Sequence, residues 1–439
     1  MKLPEKQIDW KKVLDEEGEN IFRLVSDKAV LEKIAEYNKK YLYWDDLRYR
    51  VKNDTEQKYF WTFMKFLRST KYENIPFDSI KMKYVSLPEI NRKLHQFDKF
   101  LAGNIEIQSK TLGLEKRYII SSLMEEAIAS SILEGAATTR KAAKEMLKQK
   151  QKPKTRDEKM IVNGYETMQM IFKRQNEKLS PAFLLEIQTL ITKDTLERKE
   201  DVGVFRDNND IIVGDPQNPE VVYHTPPDNA EVLKLINELC DFANNDDGDF
   251  IHPVVKGIII HFLIGYIHPF NNGNGRTARS VFYWYVLSRG YWLFEYMSVS
   301  RRILRSRKDY TIAYLHSEYD EMDVTYFIKY ISTCIEDSLN DLMAYIKQKQ
   351  KEQKETKLIL AEIEDLNFRR ASILEGAMKN PEKYFSIQEI SETYHVVYET
   401  ARTDLMYLAK KGYLKKRNIS RKFVFRFDEN FKEKISLVK

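Results

Sequence analysis

The chain has 439 residues, 43% hydrophobic and 31% charged, with a net charge of +6; this balance excludes a disordered chain and leaves room for two or three domains with cores of their own. The greasiest stretch, Gly257–Ile267, is interrupted by His261 and too short to cross a bilayer, and the opening MKLPEKQIDWKKVL holds no apolar core of signal-peptide length. Cys240 and Cys334 stand in no metal or redox spacing, so the expectation is a soluble cytoplasmic protein with reduced thiols and no membrane partner.

Residues 1–105 read as helices rich in aromatics (KYLYWDDLRYR, KYFWTFMKF), whose rings suit helix packing, and no chemistry is assigned there. Residues 106–345 keep a helical period with one exception, at Ile211–Tyr223, where IIV and VVY flank the turn-rich GDPQNPE. That pattern predicts a β-hairpin in helical surroundings. Residues 346–367, most of them in the charged run YIKQKQKEQKETKLILAEIE (Tyr345–Glu364), read as a helical linker.

Residues 368–439 follow another grammar. Ser386–Glu389 is a capping box opening a short helix, a second helix starts near Tyr398 with Ala401, Leu405 and Leu408 on one face, and Gly412 sits at a C-terminal cap. Tyr413-Leu414 and Lys422–Phe427 then read as two short strands. Helix, helix and hairpin in this order resemble the winged helix-turn-helix family. Between Ala401 and Phe427 nine Lys/Arg stand against one acidic residue, Asp404. That asymmetry suits a nucleic-acid backbone, although such modules also serve protein–protein contacts and homodimers.

The stretch that carries chemistry is HPFNNGNGRTAR, His268–Arg279, set between an apolar helical run and a second helix closed by Gly290. Its Gly-Asn-Gly turn opens onto a helix N-terminus, where backbone N–H groups converge and the dipole favours negative charge. Arg276 and Arg279, three apart in the first turn, offer forked guanidinium groups to phosphate oxygens. His268, at the loop entry, is a base suited to neutral pH. A base beside a polyphosphate cradle points to transfer of a nucleotide or phosphoryl group to a hydroxyl. A zinc site from His252, His261 and His268 fits no common ligand spacing.

The stretch resembles the signature of the Fic (Fido) family, H-P-F-x-[D/E]-G-N-G-R-x-x-R. The resemblance runs over about residues 110–335, through GVFR at Gly203–Arg206 and YHTPP at Tyr223–Pro227. It implies a mainly α fold: a helical core with a β-hairpin flap, here beside a helical N-terminal region and a small α+β winged-helix domain. It implies transfer of AMP from ATP to a Ser, Thr or Tyr hydroxyl of a target protein or of the chain itself, with pyrophosphate released. By position, His268 is the base, Gly273, Asn274 and Gly275 hold the α- and β-phosphates, Arg276 the β/γ end and Arg279 the γ-phosphate. The flap docks the target backbone as an added strand. Where the family has Asp or Glu beside Mg²⁺, this chain has Asn272, whose amide oxygen can ligate the ion but brings no charge. A slow or degenerate ATP-binding protein stays open, as do a nucleotide-sensing transcription regulator and an enzyme that removes AMP.

SILEGA occurs twice, at Ser131–Ala136 and Ser372–Ala377. Around the first copy, Ser130, Glu134 and Gly135 fit a second Fic pattern, [S/T]-x-x-x-E-[G/N], that of the inhibitory helix. Ile120, Leu123, Met124, Ala127, Ile128 and Ile132 form an apolar stripe with Ser130 and Glu134 at its edge, while Glu125 and Glu126 are expected to point elsewhere. A carboxylate at a buried margin needs a partner, and Arg279 is the expected one, in competition with the γ-phosphate. In the second copy Ala371 stands four before Glu375, where Ser or Thr is required, and the repeat reads as an accident.

Overall fold

The structure, a computed structural model, describes residues 3–102, 116–215, 218–246, 248–361, 363, 366–419, 422–428 and 430. The chain is mainly α and divides into two compact units, Met1–Leu342 and Met343–Lys439.

The first unit opens with α1 (Trp10–Val25), α2 (Lys28–Lys40), α3 (Trp44–Arg48) and α4 (Asp54–Ser69). Asp9, Asp27 and Asn53 cap α1, α2 and α4 by accepting first-turn N–H groups. An antiparallel ribbon absent from the sequence reading follows, β1 (Tyr72–Asn74) with β2 (Lys83–Val85), and then α5 (Pro88–Leu101). The strands have three residues each, too few for a period to show in sequence. Residues 1–102 belong to the same unit as the rest to Leu342, and buried charges tie them there. Lys65 Nζ lies 2.6 Å from Asp320, both side chains fully buried, and Tyr41 gives its hydroxyl proton to Asp323 at 2.5 Å. Breaking such a buried pair from one side costs on the order of 3–5 kcal/mol.

The rest of the unit comprises α6 (Lys116–Leu133), α7 (Arg140–Lys148), α8 (Arg156–Lys173), α9 (Pro181–Thr192), a hairpin, and α10 (Val232–Asn244). The hairpin pairs β3 (Val213–Asp215) with β4 (Asn218–His224), where the sequence predicted it; its tip, 216–217, lies outside the described residues. Then come α11 (Pro253–Ile267) and α12 (Asn274–Ser288), joined by the loop His268–Gly273. α11 is apolar all round because it is buried all round, from Val254 to Ile264 without a break. It packs close on α12 at Gly257, where a Cβ would meet Val286 and Tyr285 at 3.1 and 3.2 Å. α13 (Val299–Arg305) and α14 (Arg307–Tyr319) follow, and α15 (Thr325–Ala361) begins in this unit and runs on past Leu342.

The second unit holds α16 (Phe368–Lys379), α17 (Ile387–Tyr394) and α18 (Tyr398–Lys410) with a three-stranded sheet. Its order is β5 (Phe385–Ser386), β7 (Lys422–Phe427), β6 (Leu414–Ile419), all antiparallel. Ser386 caps α17, and Gly412 at φ 77° ends α18, as the sequence indicates. The two-residue β5 was not foreseen, for a strand that short carries no pattern. Ile373, Leu374, Ala401, Leu405, Leu408 and Phe425 form the core.

Candidate active site

His268 ends α11 in the left-handed conformation at φ 49°, which costs a non-glycine residue about 1–3 kcal/mol. Arg206 holds it there. Its backbone N–H reaches Pro269 O at 2.9 Å, its Nε reaches His268 O at 3.0 Å, and Nη2 reaches Pro227 O beyond the hairpin. Sequence reading gave Arg206 no role, since only the fold brings GVFR under the loop. The imidazole Nδ1 lies 3.2 Å from Gly265 O. A carbonyl can only accept, so Nδ1 carries the proton and Nε2 keeps its lone pair. The residue retains an opening to the cavity beside it, yet burial among the helices pushes its pKa down to about 4. At neutral pH it is an uncharged base.

The loop between His268 and α12 is braced from inside. Asn274 Oδ1 accepts from Phe270 N at 2.9 Å and its Nδ2 donates to Phe270 O at 2.7 Å. Its side chain is therefore spent on the loop, leaving its backbone N–H for any ligand. Gly273, at φ 86°, is the N-cap of α12 and offers no capping side chain, so the first-turn N–H groups stay open. Arg276 gives Nη1 to Ile191 O at 2.8 Å and faces Asn272 Oδ1 with Nη2 at 3.4 Å, while its buried Nε has no partner among the described residues. Burial pushes its pKa down to about 10. An arginine so desolvated favours an anion.

A carboxylate already stands there. Glu134 follows α6, and a Schellman cap ends the helix behind it: Gly135 N bonds Ile132 O at 3.0 Å and Ala136 N bonds Ser131 O at 3.0 Å, with Gly135 at φ 94°. Glu134 Oε1 lies 2.9 Å from Arg279 Nη2 and occupies the space that a Cβ on Gly275 would need. Arg279 also gives Nε to Ser130 Oγ at 2.9 Å and Nη2 to Ser130 O at 3.0 Å. Burial raises the Glu134 pKa, but Arg279 and then Arg276 outweigh it and hold the carboxyl below its usual range. The side chain is 31% exposed and lines the cavity beside it, while its Oε1 is held by Arg279. Leu123, Met124, Ala127 and Ile128 are buried, whereas Ile120 is 45% exposed. Glu126 corrects the sequence reading: it is 2% exposed and shares the ridge of Ser130 and Glu134, because residues four apart face the same way.

His268, Gly275, Arg279 and Glu134 line a cavity of about 480 Å³, within the ~300–1,000 Å³ of ligand sites. Val213 and Tyr223 of the hairpin and Tyr310, Tyr314 and Leu315 of α14 supply its apolar walls. Tyr310 and Tyr314 were not singled out in sequence, since only the fold brings α14 to the cavity. Among the described residues no three His, Cys, Asp or Glu stand together as a metal site. Asn272, exposed and only loosely engaged by Arg276, fits one neutral ligand to an ion otherwise held by phosphates and water. Glu375 of the second SILEGA lies in α16, in the other unit.

Residues 178–286 match the model of the Fic/DOC family. The chain is 30% identical to protein adenylyltransferase Fic of Nematostella vectensis over 121 residues, 28% of this chain and 26% of that protein. It is 26% identical to the protein of the same name from Drosophila yakuba over 181 residues, 39% of this chain and 33% of the relative. The matched part thus spans between a quarter and a third of these relatives. A Fic family protein from Desulfovibrio desulfuricans G20 is similar in fold, with a TM-score of 0.55 at 17% identity over 79% of this chain and 98% of that one. The likeness to the Fic/DOC family thus rests on the domain at residues 178–286, which holds the His268–Arg279 loop.

Proposed function

We propose that this protein is a self-inhibited protein adenylyltransferase that moves AMP from ATP to a Ser, Thr or Tyr hydroxyl of a target protein or of itself. The observation that carries this reading is the carboxylate of Glu134 set over the open N-terminus of α12, beside a neutral His268. His268 Nε2 takes the proton of the hydroxyl. The hydroxyl oxygen bonds to the α-phosphorus, the bond from that phosphorus to the α–β bridging oxygen breaks, and pyrophosphate leaves. The N–H groups of Gly273, Asn274 and Gly275, with Arg276 and Arg279, hold the phosphates, and the cavity under the hairpin takes the nucleoside. Mg²⁺ with Asn272 beside it would offset phosphate charge. The edge of β3–β4 receives the target as an added strand. Glu134, on Arg279, keeps out the γ-phosphate and is the brake. Labelled ATP tests the reading: transfer of the α-phosphate to protein supports it, and binding without transfer by both the wild type and Glu134→Gly refutes it.

The second unit supports a contact with nucleic-acid phosphates. Its one acidic residue in the basic stretch, Asp404, is 1% exposed and held by Arg369 and Arg370, so it does not offset the exposed Lys410, Lys411, Lys416 and Arg417, while Arg402 pairs with Glu399 at 2.9 Å and Lys415 with Asp428 at 3.1 Å. Duplex DNA binding that weakens steeply with salt is the expected outcome; no binding at low salt would leave a protein-contact module.

A further inference from the structure

α6 and α12 meet as an antiparallel ladder. Glu134 stands over Gly275, Ser130 meets Arg279, and Glu126 meets Tyr283, each rung four residues from the next on both helices. Four residues advance a helix by about 6 Å, so the rungs stay in step only where something fixes the register. The Glu134 rung is poorly placed to do so: it lies at the end of α6 and rests on a single carboxylate oxygen.

The Glu126 rung is built differently. Its carboxylate is buried and accepts from Tyr283 Oη at 3.0 Å, Ser298 Oγ at 2.9 Å, Ser300 N at 3.0 Å, and also from Ser300 Oγ. The donors come from α12 and from the start of α13, so two elements converge on one residue of α6. A buried carboxylate without such donors is costly, and four donors aimed at two oxygens are satisfied in one position of the helix. Glu125, next along, pairs instead with Arg140 and Lys144 of α7, which joins α6 to α7; toward α12 the contacts are the two hydrogen bonds from Arg279 to Ser130 and the buried cluster at Glu126, which alone also ties in α13. We propose that Glu126 is a positioning residue that fixes α6 in register against α12 and thereby holds Glu134 on Arg279; this rests on the reading of Glu134 as a brake. Glu126 touches none of the loop residues. A slip of one residue turns α6 by about 100° and carries Glu134 off Arg279.

The test uses the full chain as wild type, Glu126→Gln, Glu134→Gly and the double variant, with ATP affinity by calorimetry and initial rates of labelled AMP incorporation. Glutamine keeps the volume but turns an amide donor toward four donors. Glu126→Gln should tighten ATP binding and raise the rate by ~5–50-fold, mainly through the KM for ATP, and the double variant should match Glu134→Gly within about twofold, since a brake is released once. Plain structural damage would instead drop the double variant below Glu134→Gly, and that result overturns the proposal. A rise in Glu134→Gly with Glu126→Gln at the wild-type level overturns the register role alone. No rise in Glu134→Gly refutes the brake and the proposal with it. If Glu126→Gln does not fold, Tyr283→Phe removes one donor and should give a smaller rise that also vanishes in the Glu134→Gly background; wild-type behaviour there overturns the proposal.

Discussion

Glu134 and Arg279 meet at 2.9 Å over the first turn of α12. The carboxylate therefore sits at the negative end of its own helix and the positive end of the next, so its place is stabilised from across the contact and not from within α6. The ordering of the Schellman cap explains why glycine follows: Gly135 at φ 94° stops α6 at once and leaves Glu134 at the tip.

Removing that carboxylate frees Arg279 and the N-terminus of α12. Glu134→Gly should raise labelled AMP incorporation by ~5–150-fold, the range of a coupling of ~1–3 kcal/mol. Adding Arg279→Ala should cancel most of the gain. Glu375→Gly alters the same hexapeptide in α16 and should leave the rate at the wild-type value.

The base should be separable from binding. His268→Ala should lose at least ~10²-fold in rate with ATP affinity kept, as calorimetry would report. With a folded pKa of about 4 against an ordinary 6.5, His268 stays neutral through the mildly acid range. Its acid limb in kcat/KM should therefore lie near 4; a limb at 6.5 would mean that another group is the base.

In the proposed reaction, the phosphates and the Glu134 carboxylate compete for the space above Gly275. A Cβ there collides with Glu134 and comes within 3.1 Å of Arg279 Nη1. Gly275→Ala should weaken ATP binding at least ~10-fold in Glu134→Gly, because the methyl obstructs phosphate N–H contacts, and less in wild type, where it also displaces Glu134. Titration of ATP against the two pairs decides it.

A charge at position 272 should change the ion dependence. Asn272→Asp supplies the missing carboxylate, and transfer should rise several-fold, roughly 3–10-fold, with half-saturation at lower Mg²⁺. An unchanged magnesium titration would place this residue away from the ion.

Acid should loosen the first unit through His261, which is 2% exposed with Nε2 2.9 Å from Tyr310 Oη. Burial first, then Arg279, pushes its pKa down to about 3 against an ordinary 6.5. The unfolded chain thus binds a proton that the folded one refuses. Stability from this group is complete above pH 6.5 and falls by about 1.4 kcal/mol per unit between 6.5 and 3. Thermal melts from pH 7 to 5 should show a shallower decline for His261→Gln than for wild type.

Local chemistry was legible in the sequence. The hairpin at Ile211–Tyr223, the helix start at Ser386, the stop at Gly412 and the His268–Arg279 turn between two helices all follow from residues within a few positions of each other. What lies across the fold was not. Arg206 sits 62 residues from the carbonyl it grips at His268, and Glu126 lies 157 residues from Tyr283 and 174 from Ser300. The two SILEGA copies draw the line. The first ends a helix at Gly135, φ 94°, with its glutamate on an arginine; the second runs on through Gly376 inside α16, with Ile373, Leu374 and Ala377 in the core of the second unit. Six identical residues carry the same intrinsic preferences, but those preferences amount to less than about 1 kcal/mol per residue. Packing and the charges brought opposite by distant segments are larger, and the tertiary structure therefore decided that the first copy's glutamate meets Arg279.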